Sequence, residues 1–494
     1  MEKFFWADQI AEDIIKRNKN KKIYTCASGI TPSGTIHIGA FREVITTDLV
    51  VKALEKKGKK VRFIYSWDNY DRFRKVPANV PKTHEKYLGM PVSDVPAPSG
   101  KGKYSNYFEK PFEIALKKVG VNPKFISQSK MNKQCKYASL IKLAIEKKEK
   151  IKKILNRYRK EPLKDNWFPV TVYCEKCKKD FTNVISVKNY TIEYECSCGF
   201  KNKVNFSKKG IVKAPWRVDW PMRWKYEKVD FEPGGIDHSV EGGSFTTAKE
   251  ISKEVFSYEP PMYVFYDWIK LKGGAEFSSS TGNALSLDEV LEIYEPEILR
   301  YLFVGTKPKT GFQISFDNDV IKIYDEFDAL ERKYYEKLLN PQEKRIYELS
   351  KLKITKEKPT KESFRHLTTL VQTRKIKGLS KENKARAEKV SNWLEKYAGE
   401  DMKFSIKEKV DFNITGKEKE AMVLLKETLS VGKLNEDKLF NEFYNICQAT
   451  GISNKDFFET AYLIIIGKRK GPRLANLIIS IGKEKIIKLL EQIK

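Results

Sequence analysis

A chain of 494 residues is long enough for about three domains, and 40% apolar residues with 12% aromatics exclude a disordered protein. It contains no run of 18 apolar residues and does not begin like a signal peptide, so we expect a cytoplasmic protein with no membrane association. The 94 basic against 65 acidic residues give a net charge of +29, which favours a polyanionic partner such as nucleic acid, although lysine spread over every solvated face would give the same value.

The N-terminal part of the chain predicts an open α/β sheet. Lys22–Ala27 is a short apolar and β-branched stretch that predicts a strand, and apolar residues recur at helical spacing over Ile38–Ala53. Lys60–Trp67 predicts a second strand, which completes a βαβ unit. The polar and aromatic segment Asp68–Pro77 follows the carboxyl end of that strand, where open α/β sheets bind ligands.

Farther along, irregular and regular segments alternate. Residues 76–110 are rich in Pro, Gly and Ser and predict a long irregular excursion, whereas residues 167–207 are rich in cysteine, lysine and β-branched residues and indicate a small inserted module. The other predicted elements are strands at Lys124–Ser127, Lys213–Trp220 and Met262–Lys270, helices at 107–119, 136–160, 287–303, 319–339, 361–375, 381–397, 416–428, 436–449, 455–467 and 472–492, and a linker at 340–360. The C-terminal third is therefore expected to be a helical array.

Ser28–Gly39 is a glycine-rich turn with one histidine between the first strand and its helix. At a helix N-terminus, free backbone N–H groups and the positive end of the helix dipole face an anion. Gly34 and Gly39 allow the backbone to approach a ligand, and His37 can donate a hydrogen bond to a phosphate oxygen. An ordinary tight turn with a surface histidine would show the same residues.

A second cluster of glycines and hydroxyls, Lys272–Asn283, follows a predicted strand and precedes a predicted helix. The four consecutive hydroxyls of Ser278–Thr281 suit a loop that wraps a polyphosphate. A flexible Ser/Gly loop is the alternative. The two motifs together predict a split nucleotide site.

Four of the seven cysteines form two short pairs, Cys174-x-x-Cys177 and Cys196-x-Cys198. Four thiolates in two knuckles suit tetrahedral Zn²⁺ in a structural site, because no open position remains for catalysis. The single residue between Cys196 and Cys198 predicts strain at Cys198 or weaker binding. Four reduced cysteines without metal are the alternative.

Two of these motifs resemble the signatures of the class I aminoacyl-tRNA synthetases, a His-x-Gly-His motif after the first strand and a Lys-Met-Ser-Lys-Ser loop after a late strand. They correspond to His37–Ala40 and Glu276–Ser280. The chain is more specifically similar to the class I lysyl-tRNA synthetases in four segments: Gly29–Gly34, Trp67–Pro77, Arg217–Trp224 and Lys468–Leu474. The similarity extends over essentially the whole chain.

The resemblance implies an α/β fold: a Rossmann-like parallel-sheet catalytic domain with a zinc-ribbon-like insertion and an all-α C-terminal anticodon-binding domain. We expect the catalytic domain at 1–284, interrupted by a connective insertion at 76–166 and the zinc-binding module at 167–207. A helical junction at 285–350 and the anticodon-binding domain at 351–494 should follow.

The function that the resemblance implies is lysine–tRNA ligation. ATP activates L-lysine to lysyl-adenylate, and the lysyl group is transferred to the 3′ end of tRNA(Lys), with Mg²⁺ and a structural Zn²⁺ as the metals. A monomer is expected. Two alternatives are a catalytically silent RNA-binding paralogue and an adenylating ligase with a small-molecule acceptor.

The residues that match the family's functional positions fall into three groups. The catalytic group is His37, Gly39, Ser278, Ser279 and Ser280; the ATP-binding group is Pro32, Ser33, Gly34, His37, Gly39, Ala40, Asp237, Phe277, Ser278 and Thr281; and the lysine-binding group is Gly29, Thr31, Asp68, Asp219, Trp220, His238 and Tyr266.

The chain departs from the family pattern at three positions. Ala40 stands where the family has histidine or asparagine, and Glu276 and Thr281 stand where it often has lysines. Lys270 or Lys272 could replace those lysines, or the loop hydroxyls and backbone could suffice.

A lysine substrate needs a carboxylate for its ammonium group and aromatic walls for its methylene stem. The candidate carboxylates are Asp68, Asp71, Asp219 and Asp237, the candidate walls are Trp220, Tyr266 and Trp268, and the sequence does not decide among the aspartates. Five aromatics of the C-terminal third are expected in its core, namely Phe440, Phe443, Tyr444, Phe457 and Phe458.

Overall fold

The computed structural model describes residues 5–273, 285–411, 413–414, 416–432 and 435–493. The chain divides into two compact units. Unit 1 comprises Met1–Leu291, Pro296–Ile314 and Leu339–Ile354, and unit 2 comprises Glu292–Glu295, Ser315–Leu338 and Thr355–Lys494. In the described ranges, no helix is long and apolar enough to cross a membrane.

Unit 1 contains the sheet and the cysteine module. Its regular elements are α1 (Trp6–Arg17), β1 (Ile23–Ile30), α2 (Ile38–Lys56), β2 (Lys60–Trp67), α3 (Tyr104–Lys118), β3 (Lys124–Ser127), α4 (Gln128–Lys133), α5 (Ala138–Glu146), α6 (Lys148–Asn156), β4 (Thr171–Val172), β5 (Thr182–Lys188), β6 (Thr191–Cys196), β7 (Lys201–Asn205), β8 (Val212–Lys213), α7 (Trp216–Glu227), β9 (Gly234–Gly235), α8 (Ile236–Ser239), α9 (Ser244–Glu254), β10 (Phe265–Tyr266), β11 (Ile269–Leu271), α10 (Leu287–Leu291), α11 (Pro296–Gly305) and β12 (Phe312–Ile314), with α13 (Pro341–Ser350) after the segment that belongs to unit 2. Two 3₁₀ turns, Lys82–Tyr87 and Val92–Asp94, lie in the irregular segment before α3.

The central sheet is parallel. β1 pairs with β2, and β2 pairs with β3. On the other side of β1, Phe231 bridges Cys26 and Met262 in parallel, and β9 pairs with β10 in the same direction. The strand order therefore reverses at β1, and this is the topological switch point at which open α/β sheets bind ligands. The predicted strand–helix–strand unit and the strand at Lys124–Ser127 are confirmed.

The cysteine module is a separate antiparallel element within unit 1. β5, β6 and β7 form a three-stranded antiparallel sheet, and β4 pairs with β8 at its base. β4 leads into Cys174, and Cys196 ends β6. The two cysteine pairs are therefore brought together by the hydrogen bonding of this small sheet.

The predicted strand Lys213–Trp220 is wrong beyond its first residue. β8 ends at Lys213, and Pro215, with φ of −65°, precedes the first turn of α7. Trp216, Trp220 and Trp224 recur every four residues, so their indoles lie along one helix face with neighbouring ring centroids 5.0 Å apart. The four-residue spacing of the tryptophans is therefore that of a helix and not that of a strand.

Two other predicted segments are corrected, and one helix was not predicted. The linker at 340–360 is wrong for 341–350, where Asn340 and Glu343 form a capping box that starts α13. The predicted strand Met262–Lys270 is two short strands, β10 and β11, that pair with different partners. The N-terminal helix α1 was not predicted, although Ala7, Ala11 and Ile14 recur at helical spacing and are buried.

Unit 2 is all-helical in the part that the structure describes. Its helices are α12 (Asp319–Tyr335), α14 (Phe364–Gln372), α15 (Lys381–Lys396), α16 (Gly416–Ser430), α17 (Glu436–Thr450), α18 (Asn454–Ile466), α19 (Leu474–Ile481) and α20 (Lys483–Leu490). The predicted helix at 472–492 is interrupted at Gly482, where φ is 101°. Phe443 and Phe457 are core residues as expected, whereas Phe440 and Tyr444 are 45% and 42% exposed, so the core prediction is wrong for those two.

Candidate active site

The predicted site residues come together at the carboxyl ends of β1, β2, β9 and β10, all within unit 1. Gly29 is the second-last residue of β1, Thr31 follows β1, and Asp68 follows β2. His238 follows β9, and Tyr266 ends β10. This group of residues, called the cleft below, lies where the strand order reverses, which is the position that the fold favours for a ligand.

His37 is the N-cap residue of α2, and its ring is fixed by its own backbone neighbourhood. Its Nδ1 accepts a hydrogen bond of 3.1 Å from the N–H of Gly39. Burial lowers the pKa of His37, so the imidazole is neutral at pH 7 and carries its proton on Nε2. A neutral imidazole with Nε2–H is a hydrogen-bond donor that suits a phosphate oxygen.

Gly39 is required by the position of that ring. A Cβ at residue 39 would lie 2.6 Å from Cε1 and 2.7 Å from Nδ1 of His37. No side chain fits there unless the imidazole rotates away. The glycine therefore serves the placement of His37 as well as the approach of the backbone to a ligand.

The other residues of the first motif surround this turn. Pro32, Gly34 and Ala40 are buried, whereas Ser33 is exposed. The carbonyl of Ser33 accepts a hydrogen bond of 2.8 Å from the Tyr104 hydroxyl, which ties the turn to α3.

The residues that follow the second motif contact the start of α2. The N–H of Ile38 donates to the carbonyl of Leu285 at 2.8 Å, and His37 pairs with Ser286. On the other side, the N–H of Lys272 donates to the carbonyl of Ile314. The predicted loop residues Glu276, Phe277, Ser278, Ser279, Ser280 and Thr281 lie outside the described residues.

Glu43 places a carboxylate in the cleft that sequence reasoning did not identify. Its two oxygens accept hydrogen bonds of 2.8 Å from the N–H of Gly29 and from the Tyr266 hydroxyl. The residue is half-buried, and protein atoms surround its carboxylate closely. Burial of the carboxylate raises the pKa of Glu43 to about 8. Among the described residues, no cation lies within salt-bridge distance of Glu43.

Glu232 is a second carboxylate of the same kind. It is half-buried, it accepts a hydrogen bond of 2.7 Å from Trp224 Nε1, and burial raises its pKa to about 7. The described part of the chain offers it no salt bridge, and its charge is one of the causes that raise the pKa of Glu43. The cleft therefore holds two carboxylates that form no salt bridge within the described residues.

Three of the four candidate aspartates, Asp68, Asp71 and Asp219, already have cationic partners. Arg223 donates to both oxygens of Asp68 at 2.6 and 3.2 Å, and its Nε lies 3.4 Å from Asp219. Lys213 forms an ion pair with Asp71 and lies 3.7 Å from Asp219. Because two cations already compensate these aspartates, they are poorer candidates for a substrate ammonium than Glu43 and Glu232.

Aromatic side chains form the neighbouring wall. Trp220 is buried, and its ring centroid lies 5.7 Å from that of the half-buried His238. Trp216 stacks on Trp220 at 5.0 Å. Asp237 and Trp268 are exposed, with 53% of the Asp237 side chain accessible, so the structure does not bring these two into the buried cluster.

The four predicted metal ligands form one cluster. The Sγ atoms of Cys174, Cys177, Cys196 and Cys198 all lie within 4.8 Å of one another, with 3.7 Å between the first and the last and 3.6 Å between the middle two. Tetrahedral Zn²⁺ with Zn–S bonds of about 2.3 Å needs sulfurs about 3.8 Å apart. The residues present therefore fit a zinc ion, and strain or weaker binding at Cys198 stays a prediction.

Comparison with known proteins decides the family. The family model described as tRNA synthetases class I (K) matches residues 4–353, and a model described as an anticodon binding domain matches residues 362–494. The chain belongs to the class I lysyl-tRNA synthetases.

The similarity to individual relatives extends over the full chain. A lysine–tRNA ligase from Borreliella burgdorferi is 45% identical over 98% of this chain and 98% of the relative, and one from Thermococcus kodakarensis is 39% identical over 98% and 99%. A solved glutamate tRNA ligase from Elizabethkingia meningosepticum covers 96% of this chain and 99% of its own at 14% identity, with a TM-score of 0.49, which is too low to support an argument.

The cysteine cluster predicts a zinc content that can be measured. We expect about one zinc ion per chain in the purified synthetase, measured by atomic emission. Cys177→Ser should lose most of that zinc and increase amide hydrogen exchange over residues 171–213, because the two knuckles would lose the metal ion that they share. Cys447→Ser, which changes a buried cysteine of unit 2, should keep the zinc. A metal-free protein with the same protection over 171–213 would contradict the assignment.

Proposed function

We propose that this synthetase is a lysine–tRNA ligase whose substrate ammonium groups bind at Glu43 and Glu232. Lysine carries two ammonium groups, and the cleft offers two accessible carboxylates with raised pKa and no salt bridge within the described residues. A bound cation would compensate each carboxylate, whereas an empty cleft leaves them partly protonated. The uncompensated Glu43 is the observation that supports this proposal most strongly.

The surroundings of the two glutamates fit the rest of a lysine molecule. Tyr266 and the N–H of Gly29 hold Glu43, and the indole of Trp224 holds Glu232. Trp220 and His238 offer apolar surface next to them for the methylene stem. Gly29, Thr31, Trp220, His238 and Tyr266 remain the proposed lysine-binding residues, together with Glu43 and Glu232.

The phosphate half of the site is proposed at the start of α2. Lysine carboxylate attacks the α-phosphorus of ATP, lysyl-adenylate forms, and pyrophosphate leaves. The transition state concentrates negative charge on phosphate oxygens, so donors held in place lower its energy. We assign the Nε2–H of His37 to that role, with Pro32, Ser33, Gly34, Gly39, Ala40 and Asp237 around the nucleotide.

Two parts of the ATP site rest on the resemblance alone. Phe277, Ser278, Ser279, Ser280 and Thr281 are proposed to bind the phosphates of ATP, as the resemblance implies. Mg²⁺ is proposed to enter with ATP and to neutralise charge on the departing pyrophosphate.

Unit 2 is proposed to bind the anticodon of tRNA(Lys). The anticodon-binding family model covers 362–494, which lies entirely in this unit. In the basic turn that ends at Leu474, Lys468 donates to the carbonyls of Glu400 and Lys403, whereas Arg469, Lys470 and Arg473 are exposed. The exposed cations suit phosphate contacts. A monomeric state and a cytoplasmic location stay predictions.

Amino-acid-dependent ATP–pyrophosphate exchange tests the proposed function. The assay is run with each of the twenty amino acids, with and without tRNA, and is followed by transfer to tRNA. The proposal requires exchange with lysine and formation of lysyl-tRNA. Exchange without transfer would favour the ligase with a small-molecule acceptor, and no exchange with any amino acid, even with tRNA present, would favour the silent RNA-binding paralogue.

The raised pKa values give lysine binding a pH dependence. Binding needs both glutamates ionised, so below pH 8 lysine must displace a proton from Glu43, and below pH 7 also one from Glu232. Kd should therefore rise as the pH falls, by about tenfold per unit for each proton released. Calorimetry in two buffers of different ionisation enthalpy measures that proton release. A Kd that is constant between pH 6 and 8.5 would contradict the assignment.

A further inference from the structure

Thr31 does not hold its position in the cleft alone. Its hydroxyl donates a hydrogen bond of 2.8 Å to Asp71 Oδ2. Thr31 follows β1, and Asp71 follows β2, so this bond joins two neighbouring strands at their carboxyl ends. The position of the Thr31 hydroxyl therefore depends on where Asp71 is held.

Asp71 is held by Lys213. The Lys213 ammonium pairs with the other oxygen of Asp71, and the lysine side chain is only 8% exposed. Burial alone would raise the pKa of Asp71, but the charge of Lys213 and its hydrogen bond bring that pKa below its ordinary value. Both groups are therefore charged, and the pair is fixed in a surrounding that water reaches poorly.

The ion pair continues into a larger buried chain of charges. Lys213 also lies 3.7 Å from Asp219, and Asp219 lies 3.4 Å from Arg223, which donates to Asp68. Ser66 on β2 is bonded to both Arg223 and Asp68. Charges alternate along the whole series, so each member is held from two sides.

Lys213 also belongs to the base of the cysteine module. It is the last residue of β8, where it pairs with Thr171 of β4, and β4 leads into Cys174. The contact is reinforced by Tyr173, whose hydroxyl donates to the carbonyl of Tyr70 at 2.7 Å, next to Asp71 in the chain. The module and the Thr31 loop thus share one rigid connection.

We infer that Lys213 is a positioning residue for lysine binding: it fixes Asp71, and through Asp71 it fixes Thr31. This inference rests on the proposed function, because Thr31 is assigned to the lysine site there. Lys213 itself touches no substrate in this account.

The test compares Lys213→Met, Thr31→Val and the double variant in lysine-dependent pyrophosphate exchange. Lys213→Met should raise KM for lysine about tenfold or more while KM for ATP stays within about twofold, because only the lysine side of the cleft loses its support. If Lys213 acts through Thr31, the double variant should be no worse than the more severe single variant by more than about twofold. Multiplying effects of the two single variants would overturn the inference.

Two further variants separate positioning from general stability. Asp71→Asn/Lys213→Met removes both charges of the pair and keeps an oxygen acceptor for the Thr31 hydroxyl. It should fold even where Lys213→Met folds poorly. Its KM for lysine should lie close to the wild-type value. Lys351→Met is the matched control, because Lys351 is also a buried lysine of unit 1 that pairs with a carboxylate, Glu297. It should leave KM for lysine unchanged.

The outcomes distinguish this inference from the proposed function. Wild-type protein without lysine-dependent exchange refutes the proposed function. Normal wild-type exchange with an unchanged KM for lysine in Lys213→Met refutes only the role of Lys213. An equal rise of KM in Lys351→Met would also overturn it, because the effect would then follow from any lost buried ion pair.

Discussion

Glu43→Gln is expected to lower kcat/KM for lysine at least about 100-fold. Removing one partner of a desolvated charge pair costs about 3–5 kcal/mol, and each 1.4 kcal/mol corresponds to a factor of ten. Glutamine can still accept from Gly29 or Tyr266, so the cleft should keep its shape and KM for ATP should stay within about twofold. Steady-state pyrophosphate exchange with varied lysine measures the loss.

Glu109→Gln is the matched control for this variant. Glu109 is a buried carboxylate of unit 1 with a neutral partner, Asn69, and its pKa is also raised by burial. It should leave kcat/KM for lysine unchanged. A Glu43→Gln enzyme with more than a third of wild-type kcat/KM would contradict the ammonium assignment.

Inhibition by norleucine, which keeps only the α-ammonium group, shows which glutamate meets which end of lysine. Glu43→Gln and Glu232→Gln are compared. The variant in which norleucine still inhibits as in wild type has lost the partner of the ε-ammonium group. If neither variant changes lysine use, the two carboxylates are not the ammonium sites.

Gly39→Ala is expected to reduce the rate of pyrophosphate exchange about 100-fold although it adds only a methyl group. The new Cβ would lie 2.6 Å from Cε1 of His37, so the imidazole must turn away and lose its bond from the N–H of residue 39. Loss of one donor to a developing phosphate charge costs about 10²- to 10³-fold in rate. Exchange at saturating lysine and ATP measures it.

The dependence on His37 is tested by combining variants. In a His37→Ala background, Gly39→Ala should cost less than about threefold, because the ring it displaces is gone. Gly305→Ala is the control within the same unit, since a Cβ there has nothing within 4 Å. A Gly39→Ala enzyme of near wild-type rate would show that the orientation of His37 is not needed.

The sheet and its phosphate motif could be predicted from sequence because their signals are local. The apolar and β-branched strands, the helix after His37 and the glycines of the turn all lie within about 40 residues, and the structure has the elements where these patterns predict them. The segment Lys213–Trp220 could not be assigned in the same way, because closely spaced tryptophans fit a strand until Pro215 and the four-residue period are considered together.

The proposed ammonium site could not be predicted from sequence, because its parts are distant in sequence. Glu43 obtains its surroundings from Tyr266, 223 residues away, and the aspartates obtain their cations from Lys213 and Arg223, 142 and 155 residues away. One local signal was present: Glu43 is a charged residue within α2, a helix that is buried along most of its length. A charge in such a helix needs a partner, and here the proposed partner is the substrate.

Direct detection of the product tests the central claim. Purified protein is incubated with ATP, Mg²⁺, tRNA(Lys) transcript and an equimolar mixture of the twenty amino acids, and the 3′-terminal adenosine is analysed by mass spectrometry after nuclease digestion. The account predicts a lysyl ester on that adenosine, formed by the wild type and reduced at least about 100-fold in Glu43→Gln. An ester of another amino acid, or no ester from a folded protein that binds tRNA(Lys), would contradict it.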